Sequence, residues 1–95
     1  MTITKKVVFV AKVDKVAELK ALLQTMVGAS RRERGCELYN IYQVKSQPET
    51  FVVIESWRDE EALKRHQQSP HYLHYKQNFT PYTADKYSDE LVSLG

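Results

Sequence analysis

Two histidines, His66 and His71, sit five positions apart in a stretch that also contains Trp57 and Tyr72. An imidazole titrates near neutral pH, so either ring can serve as general acid or base. Asn40, Tyr39, Tyr42, Trp57 and Tyr72 are hydrogen-bonding and stacking partners suited to a planar aromatic molecule. Each also has a plainer structural account. Trp57 ends an apolar strand, where core packing is the commoner use, and His71 directly follows Ser69-Pro70, where it can lock a turn. Glu55, between apolar neighbours, is costly to bury unpaired, and Lys12 or Arg58 is its expected partner. Cys36 has nothing near it in sequence to lower its pKa, so a small buried residue at a strand start fits better than a nucleophile. His71 and His74 lie three apart with His66 nearby, but no carboxylate stands at a clear ligand spacing, and no metal site is expected.

The elements that must position these residues follow from periodicity. Phe51, Val53, Glu55 and Trp57 alternate with Val52, Ile54 and Ser56, and both sets are largely apolar, which describes a central strand covered on both faces. Asp59 is placed to cap a helix carrying Glu60 and Glu61 in its first turn, and Ser69 to cap a second helix with Pro70 at its first position. Upstream, Lys5 to Val13 is β-rich. Asp14 is read as the cap of an amphipathic helix with Val16, Leu19, Leu23, Met26 and Val27 on its apolar face and Leu22 beside them. Gly28 inside that helix predicts a kink or a close backbone contact, and Gly35 marks its end. Cys36 to Val44 forms the second strand, with Leu38, Asn40 and Tyr42 on one face and Tyr39, Ile41 and Gln43 on the other. Lys45 to Thr50 is a hairpin connection to the third strand. Pro81 stops the last helix, and a fourth strand is expected within Thr83 to Leu94. The order β-α-β-β-α-β is the split βαβ, or ferredoxin-like, α+β arrangement, an antiparallel sheet with helices on one face. The open face of so small a sheet needs a cover, and a homodimer supplies it.

Composition bounds the alternatives. Ninety-five residues make one domain, residues 1–95, with little interior for both a core and a roomy cavity. The net charge of +2 is spread among nearly as many carboxylates as cations, which argues against nucleic acid. Arg31, Arg32 and Arg34 read as a solvated helix end. One cysteine allows no internal disulfide, so a cytoplasmic setting is the default, and the apolar run Val7 to Ala11 is too short for a signal or membrane segment.

Gly35-Cys36-x-x-Tyr39, then Phe51-Val52-Val53-Ile54-Glu55-Ser56-Trp57, Ala62-x-x-x-His66 and Ser69-Pro70-His71 resemble the antibiotic biosynthesis monooxygenase family over about residues 5 to 80. The resemblance implies a dimeric α+β barrel of ferredoxin-like subunits. It also implies, among other activities, a cofactor-free monooxygenase of quinols or aromatic polyketides. There the substrate and O2 are the only reactants, and the deprotonated substrate donates an electron to oxygen. The expected catalytic residues are His66 and His71. Haem chemistry does not fit the resemblance. On alignment with the haem-degrading relatives, Lys76 stands where they carry the ligating histidine and His66 where they carry a tryptophan. Two other readings remain: an isomerase of a phosphorylated, autoinducer-like carbonyl compound, which would need a cationic cluster such as Lys12, Arg58 or Arg65 at the pocket mouth, and a dimeric binding protein without catalysis.

Overall fold

The computed structural model describes all 95 residues. Four strands and three helices follow one another as β1 (Ile3–Ala11), α1 (Val16–Arg31), β2 (Cys36–Val44), β3 (Gln47–Trp57), α2 (Glu60–Gln67), α3 (Pro70–Asn78) and β4 (Thr83–Leu91), with a single 3-10 turn at Thr80–Tyr82. The antiparallel sheet runs β2-β3-β1-β4. β1 and β2 are thus separated by β3, which is the split βαβ topology read from the sequence.

α1 forms where the apolar spacing demands it: Leu19, Leu22, Leu23 and Met26 are all buried against the sheet. Its start differs from expectation. The capping position is Lys15, without a side-chain cap, and Asp14 lies outside. Gly28 meets only the Arg32 guanidinium, 3.5 Å from where a Cβ would stand, so no close backbone contact forms there. α1 ends at Arg31, four residues before Gly35, which instead takes φ +90° in the turn into β2. A Cβ on Gly35 would stand 2.6 Å from the Ala62 Cβ, so this glycine is required twice, by its backbone and by α2 above it. The hairpin between β2 and β3 is tighter than predicted, because β3 begins at Gln47. Pro48 is tolerated there because β1 pairs only from Thr50 onward, leaving the first residues of β3 overhanging.

Asp59 and Ser69 cap α2 and α3 as read: Ala62 N–H donates to Asp59 Oδ1 (2.9 Å) and Tyr72 N–H to Ser69 Oγ (3.3 Å). The core lies between the helices and one sheet face, where Val7, Phe9, Phe51, Val53 and Trp57 are buried. The other face is uncovered. Across it the register aligns Tyr42, Val52, Val8 and Tyr87 in one row and Leu38, Ser56, Thr4 and Leu91 in another. Tyr42 and Tyr87 remain about half exposed at the two ends of the first row.

Candidate active site

β3 presents Glu55 and Trp57 to the helices, and the Trp57 indole is fully buried. Its Nε1–H donates to Glu55 Oε1 at 2.7 Å, the only hydrogen bond that the Glu55 side chain makes. The expectation of a Lys12 or Arg58 partner fails: no cation lies within ion-pair distance of Glu55, and Arg58 instead pairs with Asp59 at 3.4 Å. Burial without a counter-ion is tolerable because Glu55 lines a cavity.

The last turn of α2 carries His66, whose ring lies over the Trp57 indole, centroids 4.3 Å apart, with Tyr39 at 5.7 Å and Tyr72 at 5.1 Å. The His66 side chain is 2% exposed. Its Nδ1 stands 2.6 Å from Glu33 Oε2, and the same oxygen lies 2.8 Å from His71 Nε2. An ionised carboxylate only accepts, so both ring nitrogens donate to it. Ser69 agrees with this pattern. Its hydroxyl donates to the His66 carbonyl (2.6 Å), leaving its oxygen to accept from His71 Nε2 (3.1 Å). With its hydrogen held on Nδ1, neutral His66 keeps a lone pair on Nε2, and Nε2 makes no hydrogen bond within the chain. His66 lines the cavity, so the pair of Glu33 and His66 has the form of a carboxylate-oriented base.

The cavity, about 60 Å³, lies between the sheet and helices α1 and α3. Besides Glu55 and His66 it is lined by Tyr39, Tyr72, Tyr75 and Lys86. Burial raises the hydroxyl pKa of all three tyrosines, for Tyr39 and Tyr75 strongly, and the Glu55 charge adds to this. They are neutral donors at any physiological pH. The Lys86 ammonium lies over the rings of Phe79 (5.0 Å), Tyr75 (5.5 Å) and Phe9 (5.6 Å) and has no carboxylate within ion-pair distance. Burial lowers its pKa, with Lys76 and Lys5 contributing.

Of the residues singled out in the sequence, Tyr39, Trp57, His66, His71 and Tyr72 come together here. Trp57 lies beneath His66 in the core and does not line the cavity, and His71 touches the site through Glu33. Asn40 and Tyr42 do not join them. They lie on the uncovered face of β2, where Asn40 Nδ2–H donates to Tyr42 (3.3 Å) and Asn40 Oδ1 accepts from Arg31 (2.9 Å). A strand shows alternate residues to opposite faces, so Tyr39 and Asn40 could not both face one pocket. Arg31, read as solvated, is thereby tied to β2, with a second bond to the Tyr39 carbonyl (3.0 Å). Cys36 is half-buried and its thiol pKa is raised by burial and by Glu33, which suits no nucleophile.

Glu33, Tyr75 and Lys86 were missed. Tyr72, Tyr75 and Phe79 follow helical spacing, and that aromatic stripe was a usable signal. Glu33 lies in an irregular turn, and nothing local links it to histidines more than thirty residues away.

Fold and site together define a small ferredoxin-like α+β protein that encloses a carboxylate-oriented histidine among tyrosines. The chain belongs to the antibiotic biosynthesis monooxygenase family, whose model matches residues 2–78. It is similar to a Mycobacterium tuberculosis protein named "Putative monooxygenase Rv0793", with 38% identity over 68 residues, 72% of this chain and 66% of that protein. YcnE of Bacillus subtilis, which carries the same description, is 34% identical over 61 residues, 64% of each chain. The aligned part therefore spans about two thirds of these relatives' length. Among solved structures, PA3566 of Pseudomonas aeruginosa superposes with a TM-score of 0.95 at 30% identity, covering 99% of this chain and 95% of that one. Rv0793 superposes with a TM-score of 0.93 at 28% identity, covering 100% and 97%. No helix is long and apolar enough to cross a membrane.

Proposed function

We propose that the protein is a cofactor-independent monooxygenase of a small electron-rich aromatic compound of the quinol kind. One observation carries the reading: His66 lines the cavity with its Nδ1 on Glu33 and its Nε2 unbonded within the chain. His66 Nε2 takes the proton of the substrate hydroxyl, and Glu33 stabilises the imidazolium that forms. The phenolate, facing the Lys86 ammonium, passes one electron to O2. The aryloxyl radical and superoxide combine in a carbon–oxygen bond, and the distal oxygen takes the proton back from His66. The O–O bond then breaks: the distal oxygen leaves as water with the proton of the oxygenated carbon, and the other oxygen stays on that carbon as a new carbonyl of the quinone. Substrate and O2 thus become quinone and water with no external reductant. Tyr72 and Tyr75, held neutral, are available to donate to the developing oxyanion.

The uncovered sheet face supports a homodimer, since Tyr42 and Tyr87, about half exposed at the two ends of one row across it, would otherwise stay wet. The cavity favours a second reading as well. At about 60 Å³ it is smaller than the roughly 150 Å³ that accepts benzene. An aromatic ring enters only if Tyr72, partly exposed beside the cavity, swings outward. A binding protein for a smaller molecule needs no such movement.

Oxygen consumption by metal-free protein with a panel of quinols and hydroxynaphthalenes separates the two. Uptake above autoxidation that falls by roughly 100-fold in His66→Gln, the lower range for a general base, supports the oxygenase. No uptake above background across the panel leaves the binding protein.

A further inference from the structure

The expectation of no metal rested on histidines without a carboxylate at ligand spacing, and the fold brings that carboxylate from another element. Glu33 in the turn after α1, His66 at the end of α2 and His71 at the start of α3 place Oε2, Nδ1 and Nε2 within 4.8 Å of one another. We propose that these three atoms form a binding site for a late first-row divalent cation of the Zn2+ class, and that its occupation switches off the base in the cavity.

Two imidazoles and one carboxylate form a donor set suited to such an ion, whereas Mg2+ and Ca2+ favour all-oxygen shells. Ligands on a tetrahedral ion with bonds of ~2.0–2.1 Å stand about 3.3 Å apart. The Glu33 oxygen, now 2.6 and 2.8 Å from the two nitrogens, must back away by about half an ångström, and the two nitrogens, within 4.8 Å of each other, must draw together to the same spacing. Glu33 and His71 side chains are 15% and 18% exposed, which gives an ion an entry path and leaves its fourth position to water.

The ion takes the place of two hydrogens. A neutral imidazole ligates through a lone pair, so His66 must move its hydrogen from Nδ1 to Nε2, and His71 from Nε2 to Nδ1, by exchange with solvent. No net proton is lost. His66 Nε2 then enters the cavity as a donor and can no longer take a substrate proton. This second consequence rests on the oxygenase reading, while the site itself does not.

Titration of metal-free, untagged protein with Zn2+ in a calorimeter tests the site. One ion per chain is expected, with affinity lowered by at least about tenfold in His71→Ala and Glu33→Gln. His74→Ala, on the exposed side of α3, should be unaffected, and Mg2+ should give no saturable heat. Both test positions are partly exposed, which avoids opening a hole beside Trp57. Nitrogen-15 spectra of the histidine side chains should show His66 Nε2 passing from unprotonated to protonated as Zn2+ is added. No saturable binding, or binding lost in His74→Ala and kept in His71→Ala, overturns the proposal. Inhibition of oxygen uptake by Zn2+, relieved by a chelator, supports the switch. Uptake unaffected at saturating Zn2+ overturns it. Zn2+ binding with this pattern and no oxygen uptake in any state keeps the site and removes the oxygenase.

Discussion

Trp57 Nε1 and Glu55 Oε1 are 2.7 Å apart, two residues from each other on the same face of β3, so the strand supplies its own donor for the carboxylate it buries. Trp57→Phe keeps the apolar plug but removes that donor. The variant should lose about 2–4 kcal/mol, combining an unsatisfied buried carboxylate with a smaller ring. Urea denaturation followed by circular dichroism measures this, because the variant has no tryptophan left to report. Adding Glu55→Leu should recover part of the loss. A double variant no more stable than Trp57→Phe alone would show that the hydrogen bond matters little.

Gly35 combines φ +90° with the Ala62 Cβ at 2.6 Å from its missing side chain. Gly35→Ala should therefore cost at least about 2 kcal/mol, which in a domain of this size lowers Tm by roughly 10 °C. Ala62→Gly in the same chain removes the overlap but not the backbone strain. A partial recovery of Tm is expected. Full recovery would mean that the φ value carries no cost.

The tyrosines give stability a definite alkaline limit. A hydroxyl whose pKa is raised by folding holds its proton in the native state above pH 10, where the unfolded chain has released it. The unfolded state then binds fewer protons, so stability falls as pH rises past 10. The lowered pKa of Lys86 acts in the opposite sense just below 10.5, so the tyrosine effect is seen cleanly only above that value. Tyr75→Phe should flatten the decline in denaturation midpoints above pH 10.5. An unchanged slope would remove Tyr75 as a cause.

The open sheet face bears on assembly. Tyr42 and Tyr87 end one row across it, and both are about half exposed. Sedimentation should find the wild-type chain at twice its mass, and Tyr42→Glu with Tyr87→Glu at the monomer mass with its circular dichroism kept. A wild-type monomer would refute the dimer.

Ser69 joins three contacts: it caps α3, donates to the His66 carbonyl and accepts from His71. Ser69→Ala should lower stability by about 1 kcal/mol, as for other lost caps, in urea denaturation. A larger effect on oxygen uptake than on stability would show that the hydroxyl also holds the histidine cluster in place.

Local chemistry made the elements legible. Apolar spacing set α1, alternation set β2 and β3, and Asp59 and Ser69-Pro70 announced α2 and α3, because each signal acts within one or two turns of its own chain. The same alternation already separated Tyr39 from Asn40, so their presence in one pocket was excluded by β2 itself. What the tertiary structure decided is everything that crosses elements. Glu33 meets His66 and His71 only because Gly35 lets the turn after α1 approach α2 closely, and Lys86 enters the cavity only because β4 lies beside β1. Glu55 looked in need of a cation, yet the indole two residues along and the cavity beside it meet that need without one. Sequence periodicity reports which face a residue occupies. The neighbour waiting on that face comes from chain closure over thirty residues or more, and no local pattern encodes it.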